Sequence, residues 1–466
     1  MKQTWAFGHP RTDRDVKIEE VLEKDTLHTG VLSAFQWDTE WVFSKIDMKK
    51  TKLVFVMQAK EVSLREQMRK ETADLRKSLR LCFPSMEGQI NCMHSKLMLL
   101  FHPHKLRVVI PSANLMSYDW GETGIMENSV FMIDLPRLQD GQEAQEKKVL
   151  TSFGQELLHF LEKSGLDDDI RKGVLNFDFA ATKPFAFVHT VGGVAYGEDA
   201  LRTGYLGLSS AVQEHSLRTL DSLQIDFVAS SIGSLNTGFL DFIRSAAQGK
   251  AVMPPPTKQT STAVKPSQQS DVRETFRIYF PTHDTVATSK GGTNNGGTIC
   301  FQRKWWENTN AFPRSCFRDY KSLRTGMLSH KKILYARGLS AESENAGADV
   351  AWAYVGSANL SESAWGKLVW DRTRKEWKLN CRNWECGVMV PVPKEKLEAV
   401  RRLDKQSTTG IIDVQTEKGD VTLGIEQTTS SHMVTMDAFA DVVDVGFECP
   451  GKEYTDATTP WYFTER

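Results

Sequence analysis

Two stretches of the chain carry the same residue types in the same order. In the first, His94-Ser95-Lys96 is followed by an apolar run, then by Pro111-Ser112-Ala113-Asn114-Leu115, and ends on Trp120-Gly121. In the second, His330-Lys331-Lys332 is followed by an apolar run, then by Gly356-Ser357-Ala358-Asn359-Leu360, and ends on Trp365-Gly366. A lone His-x-Lys is close to noise, but its repetition in this longer context marks an internal repeat and hence two similar structural units. In an extended segment side chains alternate faces, so a His and a Lys two residues apart point the same way. Each unit thus offers an imidazole, an ammonium and an amide. Two such sets brought together form a cationic, donor-rich site for a phosphoryl group whose negative charge grows in the transition state. Charge-assisted hydrogen bonds are each worth about 1.5–3 kcal/mol, so Lys96, Lys332, Asn114 and Asn359 can supply a large part of such an effect. After each copy a Glu heads an apolar stretch, Glu127 in MENSVFMI and Glu385 in WECGVMVP. Their expected role is to accept an imidazole N–H and fix the tautomer and orientation of the ring. The repeat is symmetric and leaves open which histidine attacks and which Glu orients which His. Ser361 stands where a short helix begins, and free backbone N–H groups there favour an anion.

Strands must hold these groups. Leu97 to Phe101 and Arg107 to Ile110 read as strands joined by the turn His102-Pro103-His104, whose histidines have no third metal ligand nearby and read as turn residues. Lys52 to Gln58 reads as a short buried strand. Leu64 to Leu81 reads as a helix, with Leu64, Met68, Leu75 and Leu79 at helical spacing and Arg65, Arg69, Lys70, Arg76 and Lys77 on a solvated face. Thr151 to Lys163 is a second helix, with Phe153, Leu157, Leu158 and Leu161 on one side. The pattern breaks around Phe177 to Lys183, which puts a domain boundary near Thr182: residues 1–182 carry the first motif and 183–466 the second. The expected fold is α/β, with two similar domains, each a mixed β-sheet flanked by helices, related by a pseudo-twofold axis. Ala251 to Asp271, rich in Pro, Ser, Thr and Gln, reads as a disordered insertion. Ser289 to Gly297 reads as a flexible loop that lacks the GK[ST] ending of a P-loop, and Asp404 to Thr429 as a polar insertion or hairpins.

Composition bounds the function. The 466 residues are 40% hydrophobic and 25% charged, a globular balance with enough apolar material for large cores. No apolar run approaches the roughly 18 residues of a membrane span, and MKQTWAFGHP has no apolar h-region, so no secretory signal is expected. Seven scattered cysteines without a CxxC pair point to reduced thiols rather than to disulfides or zinc. The net charge of −1, from 58 basic and 59 acidic residues, excludes a DNA-coating protein of histone type. Any nucleic-acid binding must rest on charge gathered on one face.

The paired His-x-Lys…Asn segments resemble the phospholipase D superfamily. The Asp usual in that superfamily five residues after the Lys is replaced here by Phe101 and Arg337. That departure is shared by the tyrosyl-DNA phosphodiesterase branch, and the chain looks like a fungal-type member of it. HSKLMLL, LRVVIPSANLMSYDW, SIGSL at Ser231 to Leu235, SANLSESAWG and PWYF at Pro460 to Phe463 carry the resemblance in order across most of the chain. Ile90 stands where the family often has an aromatic residue, four before the first His, and Glu127 stands in, from the internal repeat, for a Gln that some members have. The resemblance implies two phospholipase D-like domains, with His94 as nucleophile and His330 as general acid and then base. Lys96, Lys332, Asn114 and Asn359 would hold the nonbridging oxygens, and Ser231, Ser234, Ser361, Ser363 and Trp461 would contact DNA. It implies no cofactor, no metal and no membrane. It also implies a nuclear monomer acting on DNA 3′ ends, single-stranded or nicked, that carry a covalently attached topoisomerase I peptide, and leaving a 3′-phosphate. A general nuclease or phosphodiesterase of the same superfamily and an inactive DNA-end-binding protein are the alternatives.

Overall fold

Short runs rich in Val, Ile, Leu and Phe, such as LMLLF and ILYARGL, make strands buried on both faces. The computed structural model of the chain describes residues 1–139, 146, 149–255, 271–307, 311–409 and 433–463. Among them are two large mixed sheets. The first runs Asp15–Val16, Lys2–Thr4, Ser129–Pro136, Lys105–Pro111, Leu97–Phe101, Thr29–Ser33, Lys52–Val56, Leu79–Cys82. The second runs Ala186–Thr190, Asn383–Pro391, Asp349–Gly356, Ile333–Leu339, Gln224–Val228, Phe276–Phe280, Phe317–Asp319. From Ser129–Pro136 and Asn383–Pro391 onward the two orders correspond strand for strand. In each, three antiparallel pairings are followed by two parallel ones. The expected α/β architecture of two similar halves is therefore present, with the repeat written into the topology.

The halves share a core. Leu97, Leu99 and Val108 of the first sheet and Ile333, Val355 and Val388 of the second belong to one buried cluster, together with Phe153 and Leu157 of the helix Ser152–Lys163. The outer face of each sheet is covered by a cluster of its own. The halves also exchange strands. Cys92–Met93, just before the first His, pairs with Asn383 and Trp384 of the second sheet. Leu328–Ser329, just before the second His, pairs with Met126–Glu127. No helix among the described residues is long and apolar enough to cross a membrane, and all seven cysteines are free.

The helix expected over 64–81 is shorter. It spans Val62–Glu71, buries none of its residues, and is followed by the strand Leu79–Cys82. Leu79 fits the helical spacing by coincidence: its side chain is buried in the strand, while Leu64 and Leu75 stay exposed. Residues 256–270 of the Pro-rich insertion lie outside the described residues, as do 410–432 of the polar region, whose first part continues the helix Lys394–Thr409.

Candidate active site

The strand exchange determines where each imidazole sits. The His94 N–H donates to the Trp384 carbonyl (2.9 Å), and the His330 N–H donates to the Glu127 carbonyl (3.0 Å). Each histidine is thus pinned by its backbone to the other half. Two residues on, each motif lysine turns back, Lys96 Nζ donating to the His94 carbonyl (2.8 Å) and Lys332 Nζ to the His330 carbonyl (2.6 Å). Both ammonium groups are fully buried. The charge of Lys332 is felt at His94 and that of Lys96 at His330, so the four groups share one low-dielectric space.

The asparagines close the site with the same geometry in each half. The Asn114 amide oxygen accepts from the Gln36 backbone N–H (3.2 Å), and that of Asn359 from the N–H groups of Ser230 and Ser231 (3.2 and 2.9 Å). Their carbonyl ends are committed, which leaves the NH2 ends as donors for a ligand oxygen. The recurring glycine has a local cause, while the two tryptophans differ, Trp365 Nε1 having no hydrogen-bond partner. Trp120 Nε1 donates to the Asn114 carbonyl (2.9 Å), and Gly121 and Gly366 turn the chain at φ of 80° and 93°, which favour glycine.

Each histidine meets a buried carboxylate, but the two arrangements differ. His94 Nδ1 lies 2.9 Å from Glu385 Oε2. Glu385 also accepts from Ser357 Oγ (2.5 Å) and Asn383 Nδ2 (2.9 Å). The other half presents Asp119 to His330, with Oδ1 3.4 Å from Nδ1. That contact is an ion-pair approach off the hydrogen-bond line, and Nδ1 has no hydrogen-bond partner. Asp119 is held in turn by the Asn114 N–H (2.7 Å) and Asn128 Nδ2 (3.1 Å).

Glu127 is a correction. The hydrogen-bond register equates Ser112 with Ser357, and Ser112 Oγ meets Asn128 (2.8 Å) as Ser357 Oγ meets Glu385. The counterpart of Glu385 is therefore Asn128, one residue past Glu127. The Glu127 side chain points to the other face of the strand, accepts from Tyr320 Oη (2.9 Å) and lies 3.4 Å from buried Lys331, which also pairs with Asp444 (3.1 Å). Trp461 is a second correction. It is buried, and its indole N–H is spent on the Gly296 and Ile299 carbonyls (3.1 Å each), so it ties down that loop instead of facing a ligand. The serines stay at or near the site. Ser231 bonds to Asn359, Ser234 is exposed on the same loop, Ser361 caps the helix Glu362–Trp365 through the Ala364 N–H (3.2 Å), and Ser363 lies two residues further, within that helix. Ile90 is buried, and the exposed aromatic residue at the lip is Phe35, whose ring centre is 5.2 Å from that of His94. Asp119, Asn128 and Phe35 went unmarked in the sequence. Asp119 alone left a trace there, an acidic residue inside the MSYDWG end of the first motif where the second has Ala364.

Burial and mutual repulsion set the protonation. Burial, then Lys332, pushes the His330 imidazole down to about 4 against the pull of Asp119. Burial lowers His94 as well, with Glu385 opposing. Lys96 falls through burial, and Lys332 falls well below the ordinary lysine value through burial and then Lys96. Burial pushes the Asp119 carboxyl up, but His330, the Asn114 N–H and Lys332 together bring it below its ordinary value. Basic groups are thus pressed together away from water, and a phosphodiester anion among them would offset the mutual repulsion of Lys96, Lys332 and His330.

A family model described as tyrosyl-DNA phosphodiesterase matches residues 1–455. Tyrosyl-DNA phosphodiesterase 1 of Drosophila melanogaster is 27% identical over 309 residues, covering 64% of this chain and 49% of the relative. Tyrosyl-DNA phosphodiesterase 1 of Arabidopsis thaliana is 23% identical over 477 residues, covering 96% and 71%. The chain thus spans about half the length of the fly relative and most of the plant one. The crystal structure of the yeast tyrosyl-DNA phosphodiesterase superposes with a TM-score of 0.59 at 19% identity, over 84% of this chain and 89% of that one, a likeness of fold.

Proposed function

The chain belongs to the tyrosyl-DNA phosphodiesterase family, and from that membership we propose that it hydrolyses the phosphodiester bond between a DNA 3′ end and a tyrosine side chain, leaving a 3′-phosphate. The observation that carries the reading is the reciprocal site: two His-x-Lys…Asn sets, each histidine backed by a carboxylate, gathered across the strand exchange. The protein adduct we propose is a topoisomerase I-derived peptide, and the place of action the nucleus, where such adducts arise. The catalytic units are proposed as residues 1–182 and 183–466, although Phe153 and Phe160 of the first unit pack on Phe187 of the second (5.6 and 5.7 Å).

His94 is proposed as the nucleophile because its Nδ1 is held by Glu385, which leaves the Nε2 lone pair for phosphorus. The P–N bond forms as the P–O bond to tyrosine breaks, and His330 gives its proton to the departing phenolate oxygen. Tyrosine, with a pKa of about 10, is a tolerable leaving group. His330 then takes a proton from the water that attacks phosphorus, the P–N bond breaks, and the acid has become the base. Its lowered value of about 4 keeps the ring neutral, so that it can accept a proton. The anionic substrate, by offsetting Lys332 and Lys96, raises it toward the range where it can act as an acid. Lys96, Lys332 and the NH2 groups of Asn114 and Asn359 hold the nonbridging oxygens. Ser231, Ser234, Ser361 and Ser363 are proposed contacts to the DNA phosphates, and Phe35 a surface on which a base or the tyrosine ring stacks.

Charge stabilisation here comes from ammonium and amide groups, so turnover of a 3′-phosphotyrosyl oligonucleotide is expected to be unchanged by EDTA, with phosphatidylcholine left intact. Loss on chelation and recovery with a divalent cation would overturn the mechanism. Binding of the oligonucleotide without turnover would favour an end-binding protein.

A further inference from the structure

Between the second motif and Glu385 the chain makes a hairpin, Lys367–Asp371 and Glu376–Cys381, completed as a three-stranded sheet by Gly193–Tyr196. From Lys367 to Arg382 it carries six basic and two acidic residues in a chain whose net charge is −1. We propose that this hairpin is a second DNA-contacting element, which holds the phosphate backbone of the substrate several nucleotides from the scissile bond. The proposal rests on the phosphodiesterase reading and extends it to a surface outside the catalytic site.

The hairpin is anchored at the site. Asn380 Nδ2 donates to Gln89 (3.3 Å), on the segment leading into His94, and the Arg382 N–H donates to the Ser363 carbonyl (3.2 Å). Two residues further on, the Trp384 carbonyl accepts the His94 N–H. From Asn380 outward the strand runs five residues to Lys375, about 17 Å at roughly 3.4 Å per residue. With one phosphate per roughly 3.4 Å of each strand in a duplex, that is a reach of about five nucleotides.

The tip is constructed to hold cations in a fixed place. The Asp371 side chain accepts from the Thr373 and Arg374 N–H groups (2.9 and 3.1 Å), its carbonyl accepts from the Lys375 N–H (2.8 Å), and Lys375 takes φ of 55°, unusual for a residue with a side chain. Arg372, Arg374 and Lys375 are all exposed at this turn. Arg372 and Lys375 have no ion-pair partner among the described residues, and Arg374 lies over the Tyr196 ring (4.2 Å) while only grazing Glu376 (3.5 Å). Below the tip Trp370 and Trp377 face each other across the strands (5.4 Å) and stiffen the hairpin. Three like charges on an ordered turn repel one another, and an anionic strand running out from the catalytic pocket relieves that repulsion.

The test replaces the three charges together, Arg372→Gln, Arg374→Gln and Lys375→Gln, in the full chain. It compares kcat/KM on 3′-phosphotyrosyl oligonucleotides of about four and about sixteen nucleotides, bracketing the reach of about five. The ratio of long to short substrate should fall about tenfold at low salt, and the slope of log(kcat/KM) against log salt for the long substrate should flatten by about 2, at about 0.7 per contact with single-stranded DNA. An unchanged ratio and slope would overturn the proposal. So would an equal loss on both lengths, which would make the hairpin a support of the active site. So would a loss that follows the length of the attached peptide and not of the oligonucleotide, which would make it a protein-binding surface. Failure of the unaltered protein to turn over even the short substrate would instead refute the phosphodiesterase reading itself.

Discussion

Replacing Asp119 by asparagine removes one negative charge from the buried contact with His330 and leaves the bulk of the side chain almost unchanged. The carboxylate is surrounded by donors: the Asn114 N–H at 2.7 Å, Asn128 Nδ2 at 3.1 Å and His330 Nδ1 at 3.4 Å. An amide has one accepting end, so its NH2 must face at least one of these donors. The lost interaction with His330 is a buried charge–charge attraction without a hydrogen bond; taken as no stronger than a charge-assisted hydrogen bond, about 1.5–3 kcal/mol, it sets an upper range of about 10- to 150-fold in rate at 1.36 kcal/mol per factor of ten. The loss should fall mainly on the steps that need His330 as acid or base. Asp119 raises the His330 value against burial and Lys332, so its removal lowers that value further, and the limb of the pH–rate profile that reports His330 should move to lower pH. Single-turnover quenching with a 3′-phosphotyrosyl oligonucleotide across pH 4.5–8 measures both effects. A variant within about twofold of the parent rate at every pH, with the limb unmoved, would refute the assignment of Asp119 as the residue that positions His330.

Glu127→Gln should lower stability by about 1–3 kcal/mol in a denaturant titration, because it removes one partner of buried Lys331 while Asp444 still holds the other side. Its kcat should stay within about threefold, because the side chain faces Tyr320 and away from the histidines. A collapse of kcat without loss of stability would restore Glu127 to the site. Stability should fall as pH is lowered from about 6.5 to about 4, where unfolded chains protonate histidine but burial holds His159 and His330 at about 4, so the unfolded state binds more protons. The urea midpoint at pH 5 should lie below that at pH 7, and His159→Gln should narrow the gap; equal midpoints would contradict the burial argument.

The legible part of the site is the part contiguous in sequence. His-x-Lys and Ser-Ala-Asn-Leu are local patterns tied to extended backbone and a tight turn, and their doubling implied two sheets of like topology. What could not be read depends on register between distant strands. Aligning Glu127 with Glu385 by residue type is off by one position, and in a strand one position moves a side chain to the opposite face; only the pairing of Ser112 with Asn128 and of Ser357 with Glu385 reveals it. Phe35 reaches His94 from a loop about sixty residues earlier, for which no local pattern exists. Trp461 sits in a motif-like PWYF run, yet its indole serves the interior. The helix expected over 64–81 failed because periodicity cannot separate the end of an exposed helix from the start of a buried strand at Leu79.

The central claim is that His94 carries the phosphoryl group and His330 moves the protons. In His330→Ala the nucleophile and a tolerable leaving group remain, while the water that must attack in the second step lacks its base. Mixing this variant with a 3′-phosphotyrosyl oligonucleotide, quenching, and mapping the linked peptide by mass should give an acid-labile protein–DNA adduct on His94. The adduct should be absent from His94→Ala and from the double variant. Adduct only in His94→Ala, mapped to His330, would reverse the roles, and adduct in neither variant beside full turnover by the parent protein would contradict covalent catalysis.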